Sequence, residues 1–230
     1  MRALRVLLIL AVVLGGILVG VDRLAVAYVE SEAAGKVRFG TVRPESTDVD
    51  IKGFPFLTQI AGRRFDEVDV KLTGVQTSAG GQSIRIGELT AELRDVTLDG
   101  DYAIDRARTA DGTALIGYAD LAAASGHEAK VEYGEGGKLK VTGGVRVLGR
   151  MITRTVTSTV TLVNGNTLRV RADSVPGEGM PGLEQLIRSR TDFDRRVEGL
   201  PKGMRLTKVE PRPDGLAVMV AGENVALTAP

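Results

Sequence analysis

Cysteine and tryptophan are both absent from this 230-residue chain, histidine occurs once, and the aromatic residues are only four Tyr and five Phe. The lack of cysteine excludes disulfides, thiolate nucleophiles, Cys-ligated zinc and an N-terminal lipoprotein cysteine together. A single histidine, His127, rules out a His-rich metal site and would have to carry any Ser-His-Asp triad alone. Neither G-x-S-x-G nor S-x-x-K occurs. Charge of one dominant sign is missing too. Thirty Lys and Arg stand against 29 Asp and Glu, scattered along the chain for a net +1, so no broad electrostatic footprint for nucleic acid exists.

What remains is an aliphatic chain. Apolar residues make up 43% but aromatics only 4%, so a core must be built from Val, Leu, Ile and Ala. The length fits one domain plus a targeting segment. Arg2 and Arg5 precede Val6 to Val21, sixteen residues without a charge, which is the pattern of an exported chain. As a helix that run spans roughly 24 Å, a little short of a hydrocarbon core of about 30 Å. Two readings stay open. Ala25-Val26-Ala27 offers a small-residue cleavage site, whereas Val21, Leu24, Ala25 and Tyr28 recur at helical spacing, as if a helix ran on from membrane into domain. The division is therefore residues 1–27 as signal peptide or N-terminal membrane anchor and 28–230 as a single domain. Loss of the first 27 residues would leave 27 basic against 28 acidic side chains.

From Lys36 onward, period-two alternation dominates. Val49 and Ile51 oppose Asp48, Asp50 and Lys52; Val68, Val70 and Leu72 oppose Asp69 and Lys71. The run Ile84 to Leu98 changes parity twice, after Ile86 and after Leu93, and each change predicts a bulge or bend that curls the sheet. Asn164-Gly165 and Pro213-Asp214-Gly215 predict hairpin turns. Helices are predicted at Tyr118 to Ala124 and, on an apolar stripe of Leu183, Leu186, Ile187, Phe193 and Val197, over Leu183 to Glu198. The expected fold is α+β: one long, strongly curved antiparallel meander wrapped around a few helices, elongated, with an apolar cavity.

Catalytic patterns are weak. Gly177 to Gly182 spells G-x-G-x-x-G, but Pro181 removes an N–H from a phosphate cradle and no βαβ unit surrounds it, so no cofactor is expected. The acid pairs Asp48/Asp50, Asp99/Asp101 and Asp192/Asp194 read as a polar strand face, a turn and a helix surface.

The densest signal is Gly53-Phe54-Pro55-Phe56-Leu57-Thr58-Gln59 between two alternating strands, the second of which ends at Gly74-Val75. From residues alone, Phe54, Phe56, Leu57 and Ile60 are equally a plug closing one end of the sheet and an entrance to a cavity. The segment and the following V-x-V-x-x-x-G-V resemble the LmeA-like phospholipid-binding family of actinobacterial envelope proteins, from about Val21 to about Leu227. That resemblance implies an extracytoplasmic, non-enzymatic domain similar to tubular lipid-binding proteins, with a phospholipid or related lipid as partner, membrane contact through the N-terminal segment, and relatives that serve envelope glycolipid synthesis. Candidate lipid-binding residues are Phe54, Phe56, Leu57, Ile60, Val68, Val70, Leu72, Leu186 and Phe193. Thr58, Gln59, Arg63 and Arg64 are candidates for a headgroup or the membrane surface. The competing expectation is a membrane-tethered structural or protein-interaction domain without a lipid ligand, and a third, a hydrolase, would depend on His127.

Overall fold

A computed structural model describes residues 2–36, 44–79, 82–124, 129–147, 150–175, 182–197 and 200–227. The N-terminal run continues into one 35-residue helix, α1 (Arg2–Lys36). It contains a stretch, Ile9–Gly35, long and apolar enough to cross a membrane. Eleven strands follow: β1 (Ser46–Lys52), β2 (Arg64–Ala79), β3 (Gln82–Leu98), β4 (Ile104–Ile116), β5 (Ala129–Gly134), β6 (Lys138–Val147), β7 (Arg150–Val163), β8 (Thr167–Ala172), β9 (Phe193–Arg196), β10 (Met204–Arg212) and β11 (Gly215–Ala226). Three short helices interrupt them: α2 (Phe56–Ala61), α3 (Tyr118–Ala124) and α4 (Leu183–Thr191).

All strand pairs are antiparallel, and the α+β expectation holds at that level. The strands divide into two sheets, however, where one meander was expected. The larger has the order β1-β2-β3-β4-β11-β10; the smaller runs β5-β6-β7-β8-β9. The chain leaves the first sheet after β4, builds the second as a meander, and returns so that β11 pairs with β4 in the register Leu216↔Ile116 to Ala226↔Arg106. Local alternation marks each strand but carries no information about a partner a hundred residues away.

The two parity changes fall where the sequence places them, and they take an unexpected form. At the first, the ladder of β2 and β3 skips from Thr73↔Glu88 to Val75↔Ile86, with Gly74 at φ 63° and Gly87 across from it. A side chain is unaffordable at Gly74, where a Cβ would lie 2.3 Å from Glu45. At the second, four strands change phase side by side. Phe65↔Val96 is followed by Glu67↔Arg94, Arg94↔Thr109 by Val96↔Ala107, and Glu223↔Thr109 by Val225↔Ala107, leaving Asp66, Asp95, Arg108 and Asn224 in one unpaired transverse row. Asp95 and Asn224 have φ of 50° and 51°, and both residue types tolerate the left-handed region. The register is the same on both sides of the row because all four strands shift together. Phe65 and Val68, Leu93 and Val96, and Ala107 and Ala110, each three apart, therefore all turn inward into one cluster.

Two apolar clusters result. In the larger, Leu72, Ile86, Ile116, Leu216 and Val218 of the first sheet meet Val131, Leu139, Val141, Val156 and Leu168 of the second, with Leu121 of α3. Tyr118 anchors α3 by donating its hydroxyl to the Arg212 carbonyl at 2.6 Å. In the other cluster, Val26 of α1 and Phe56 of α2 cover Val49, Ile51, Phe65, Val68, Val96 and Val225 at the opposite end of the first sheet.

The predicted helix over Leu183 to Glu198 stops short. Asp192 adopts an extended conformation, its N–H still donating to Arg188 O, while its carboxylate accepts the Ala172 N–H at 2.9 Å. The next residues pair with β8, Phe193 opposite Val170 and Arg196 opposite Thr167. Phe193 and Val197 therefore leave the helical stripe, because β8 would otherwise present an open edge. Asp194 pairs with Arg169 and Arg171, both at 2.8 Å, in place of the helix surface expected for it.

Candidate functional site

The Gly53 to Gln59 segment links β1 to α2 at the end of the first sheet reached by α1. Gly53, at φ 99°, lets the Gln59 side chain close over it; a Cβ there would come within 2.7 Å of Gln59 Nε2. Gln59 then bridges the segment, donating to Lys52 O at 3.2 Å and accepting the Asp66 N–H at 2.8 Å. Thr58 donates its hydroxyl to Pro55 O at 2.8 Å. Two of the four residues expected at a headgroup or membrane surface thus hold the turn, Thr58 at its surface and Gln59 half-buried.

The aromatic pair divides. Phe56 is 1% exposed and stacks on Phe65 with ring centroids 5.9 Å apart, and Ile60 packs against the same cluster. Phe54 and Leu57 point outward, 57% and 40% exposed. Buried and exposed apolar side chains therefore sit side by side in one segment. A short helix that begins after Pro55 has no side-chain cap of its own. The missing acceptor comes from α1: Asp22 Oδ1 accepts the Leu57 N–H at 2.9 Å. Arg23 beside it lies 5.1 Å over the Phe54 ring and reaches Gly53 O at 3.5 Å, and Glu30 accepts the Ile51 N–H at 2.7 Å.

These contacts correct the stripe expected on α1. The helix does continue, but Val21, Leu24 and Tyr28 are exposed, and the face toward the sheet carries Asp22, Ala25, Val26, Val29, Glu30 and Ala33. Two acidic side chains on that face had no reading as core positions. Their signal is the i, i+8 spacing of Asp22 and Glu30 around Val26.

Arg63 and Arg64 diverge. Arg63 follows α2 at φ 53° and lies 5.2 Å over the Tyr102 ring, whereas Arg64 pairs with Asp95, which also holds Arg108. Hydrogen bonds first from Arg64 and then from Arg108 keep the Asp95 carboxyl below the usual carboxylate range. That ionic knot lies in the transverse row, so Arg64 serves the sheet. Asp99 builds the turn after β3 by accepting the Asp101 and Ala103 N–H groups, both at 2.9 Å.

Among the remaining candidates, Val68 and Leu72 are buried and Val70 is half-buried in contact with both clusters. Phe193 is half-buried on β9, away from the Phe54 segment in the other sheet. The side chain of Leu186, His127 and Gly177 to Pro181 lie outside the described residues. Sequence reasoning missed a row next to Val70. Register places Val49, Val70, Ala91, Gly112, Val220 and Leu206 side by side across all six strands, and the middle four are half-buried. Leu89 and Ala114 in the next row are half-buried too. This aliphatic strip lies between the part of the sheet covered by α1 and the part covered by the second sheet.

The opposite face is polar. A groove of about 640 Å³ there is lined by Asp48, Asp50, Asp69, Lys71, Glu92 and Asp111, and it also borders Val70, Ala91, Gly112 and Val220 of the strip. Of its acids, Asp50 and Asp69 pair with Lys52, and Lys71 of its lining pairs with Glu88 outside it at 2.9 Å. No group of three or more His, Asp or Glu side chains among the described residues is placed to hold a metal ion.

Two antiparallel sheets with a few helices, preceded by a long apolar N-terminal helix, define a small α+β domain. The sequence profile of the LmeA-like phospholipid-binding family matches residues 20–221, and the chain belongs to that family. No curated protein and no solved structure matches it.

Proposed function

We propose that this protein binds a phospholipid or related envelope lipid outside the cytoplasmic membrane, in an apolar space over the inner face of its larger sheet, and does no chemistry on it. Membership of a phospholipid-binding family is the observation that carries this reading. The half-buried aliphatic strip of Val70, Leu89, Ala91, Ala114 and Val220 is compatible with it, although Val70, Ala91 and Val220 also border the polar groove of the opposite face. Val68 and Leu72 flank Val70 on the same strand as walls, and small side chains at Ala91 and Ala114 would leave width for acyl chains, whereas the Val220 side chain already lies against Gly112, 3.0 Å from where a Cβ would stand. Curling of the sheet at its two phase changes would deepen that space.

Affinity would come from burial, at about 0.8 kcal/mol for each CH₂ removed from water. Phe54 and Leu57 would form the rim, with Phe56 and Ile60 holding it. Leu186 and Phe193 would serve the far end. Thr58, Gln59, Arg63 and Arg64 are polar groups near the rim, as is Arg23 over the Phe54 ring; of the two arginines after α2, Arg63 is the better placed for a phosphate, as Arg64 already answers Asp95. Such a domain fits lipid trafficking or support of envelope glycolipid synthesis, delivered by α1 as signal or anchor. Organic extraction of the purified full-length protein followed by mass spectrometry tests the reading. A diacyl lipid near one per chain is expected, and an empty extract from protein purified out of its native envelope would overturn it.

A further inference from the structure

The exposed apolar side chains of this domain are not spread over its surface. Outside α1, the large hydrophobic residues exposed among the described residues are Phe54, Leu57, Tyr102, Ile104 and Tyr133. Four of these five lie at one end of the first sheet. Phe54 and Leu57 belong to the β1–α2 turn, while Tyr102 and Ile104 belong to the β3–β4 turn. The two turns are adjacent: Leu98 donates its N–H to Arg63 O at 3.0 Å, and Arg63 covers Tyr102.

The same end is where α1 arrives. Asp22 and Arg23 are the first charges after the sixteen uncharged residues Val6 to Val21, and they grip Leu57, Gly53 and Phe54. Eight residues further on, about 12 Å along the helix, Glu30 binds Ile51, farther back along β1. The helix thus runs away from the tip as it enters the domain, and Val6 to Val21 project beyond the tip in the other direction. A bilayer spanned by that run has its surface at Asp22 and Arg23, level with Phe54 and Leu57.

We propose that this tip is a membrane-seating surface: Phe54, Leu57, Tyr102 and Ile104 enter the headgroup–acyl boundary of the leaflet from which α1 emerges, with Arg23 and Arg63 facing its phosphates. Aromatic rings and Arg are the residue types enriched at that depth, the ring in the boundary and the guanidinium toward the headgroups. An anchor alone would leave the domain swinging on a helix. Here the Asp22 bond and the Arg23–Phe54 stack fix the domain's orientation to its anchor. Phe54, Leu57 and Arg63 also belong to the lipid reading above, but the seating rests on their exposure and on the path of α1, and it stands or falls whether or not the inner strip holds a lipid.

A chain without cysteine lets single thiols report position. Phe54→Cys, Leu57→Cys, Tyr102→Cys and, as a control in the second sheet, Tyr133→Cys each carry an environment-sensitive fluorophore in the full-length chain, reconstituted into vesicles of phosphatidylethanolamine and phosphatidylglycerol. The three tip labels are expected to shift to shorter emission wavelength and lose most of their emission to a nitroxide near the headgroup end of the lipid chain, while the Tyr133→Cys label is quenched by aqueous iodide instead. All four side chains are exposed and belong to neither buried cluster; Phe54→Cys and Tyr102→Cys give up the ring contacts of Arg23 and Arg63, whereas Leu57→Cys leaves both in place. Tip labels as accessible to iodide as the control, or shielded from both quenchers as under a protein partner, would overturn the proposal. A lipid-loaded extract from the same preparation would in that case leave the binding function intact.

Discussion

Asp22 caps a helix to which it does not belong: its carboxylate takes the Leu57 N–H in the first turn of α2, thirty-five residues away in sequence. Capping residues replaced by Ala typically lose about 0.5–2 kcal/mol. Asp22→Ala is therefore expected to lower the thermal midpoint by a few degrees, as about 1 kcal/mol moves a domain of this size by roughly 2–4 °C. Asp22→Asn, which keeps an acceptor, should restore most of that loss. Equal midpoints for Asp22→Ala and the parent in detergent would show that the α1–α2 contact carries no stability.

The two phenylalanines of the Gly53-Phe54-Pro55-Phe56 turn should respond in opposite ways. Phe56→Ala removes a fully buried ring stacked on Phe65 and is expected to cost about 3–5 kcal/mol in urea unfolding. Phe54→Ser and Leu57→Ser alter exposed side chains and should stay within about 0.5 kcal/mol of the parent. Vesicle association or lipid retention should nevertheless fall for the Ser variants. A stability loss at Phe54 as large as that at Phe56 would make the whole segment a plug.

Filling the inner strip separates a lipid site from an ordinary core. Ala91→Leu and Ala114→Leu add aliphatic bulk at half-buried positions. Lipid recovered per chain should drop severalfold while the urea midpoint holds or rises. Unchanged lipid content in both variants would move the site elsewhere.

Acid sensitivity should concentrate at Asp95. Its carboxyl is held below the usual range by the Arg64 hydrogen bond and then by that from Arg108. A carboxyl depressed in the folded state stabilises that state above its unfolded value, about 3.9, and loses the contribution as pH falls through the folded value. Stability is thus expected to decline below about pH 4, with a shallower decline in Asp95→Asn. Asp173, held low by Lys138 and Thr159, and Asp194, held low by Arg169 and Arg171, act in the same direction, so the Asn variant should retain part of the slope. An identical pH profile in the variant would remove Asp95 from the acid response.

Truncation bears on the fate of α1. A chain starting at Tyr28 loses both the Asp22 cap and the buried Val26 side chain. Burial of one aliphatic side chain adds about 1.5–3 kcal/mol to the cap, so the truncated domain should unfold at distinctly lower urea concentration. Retention of α1 as an anchor predicts that the protein recovered from its own cells has the intact mass of the whole chain. A mature mass beginning near Tyr28, together with an undiminished midpoint, would mean that α1 is only a signal.

Much of this was readable in advance. Alternation at Val49/Ile51 and Val68/Val70/Leu72, the turn at Asn164-Gly165 and the parity changes in Ile84 to Leu98 determined strands, faces and phase, because a two-residue side-chain period and a tolerance for positive φ are local properties. The uncharged run before Asp22 likewise determined a helix of membrane character, and the Phe-Pro-Phe-Leu segment pointed to the family. Three things were decided only in the folded chain: that β4 takes β11 as its neighbour and so splits the strands into two sheets, that Asp192 turns the end of a helix into strand β9, and that Asp22 and Glu30 of α1 lie against the sheet. Each depends on which backbone N–H or sheet edge lacks a partner after distant segments have met, and that need exists only once the tertiary contacts have formed.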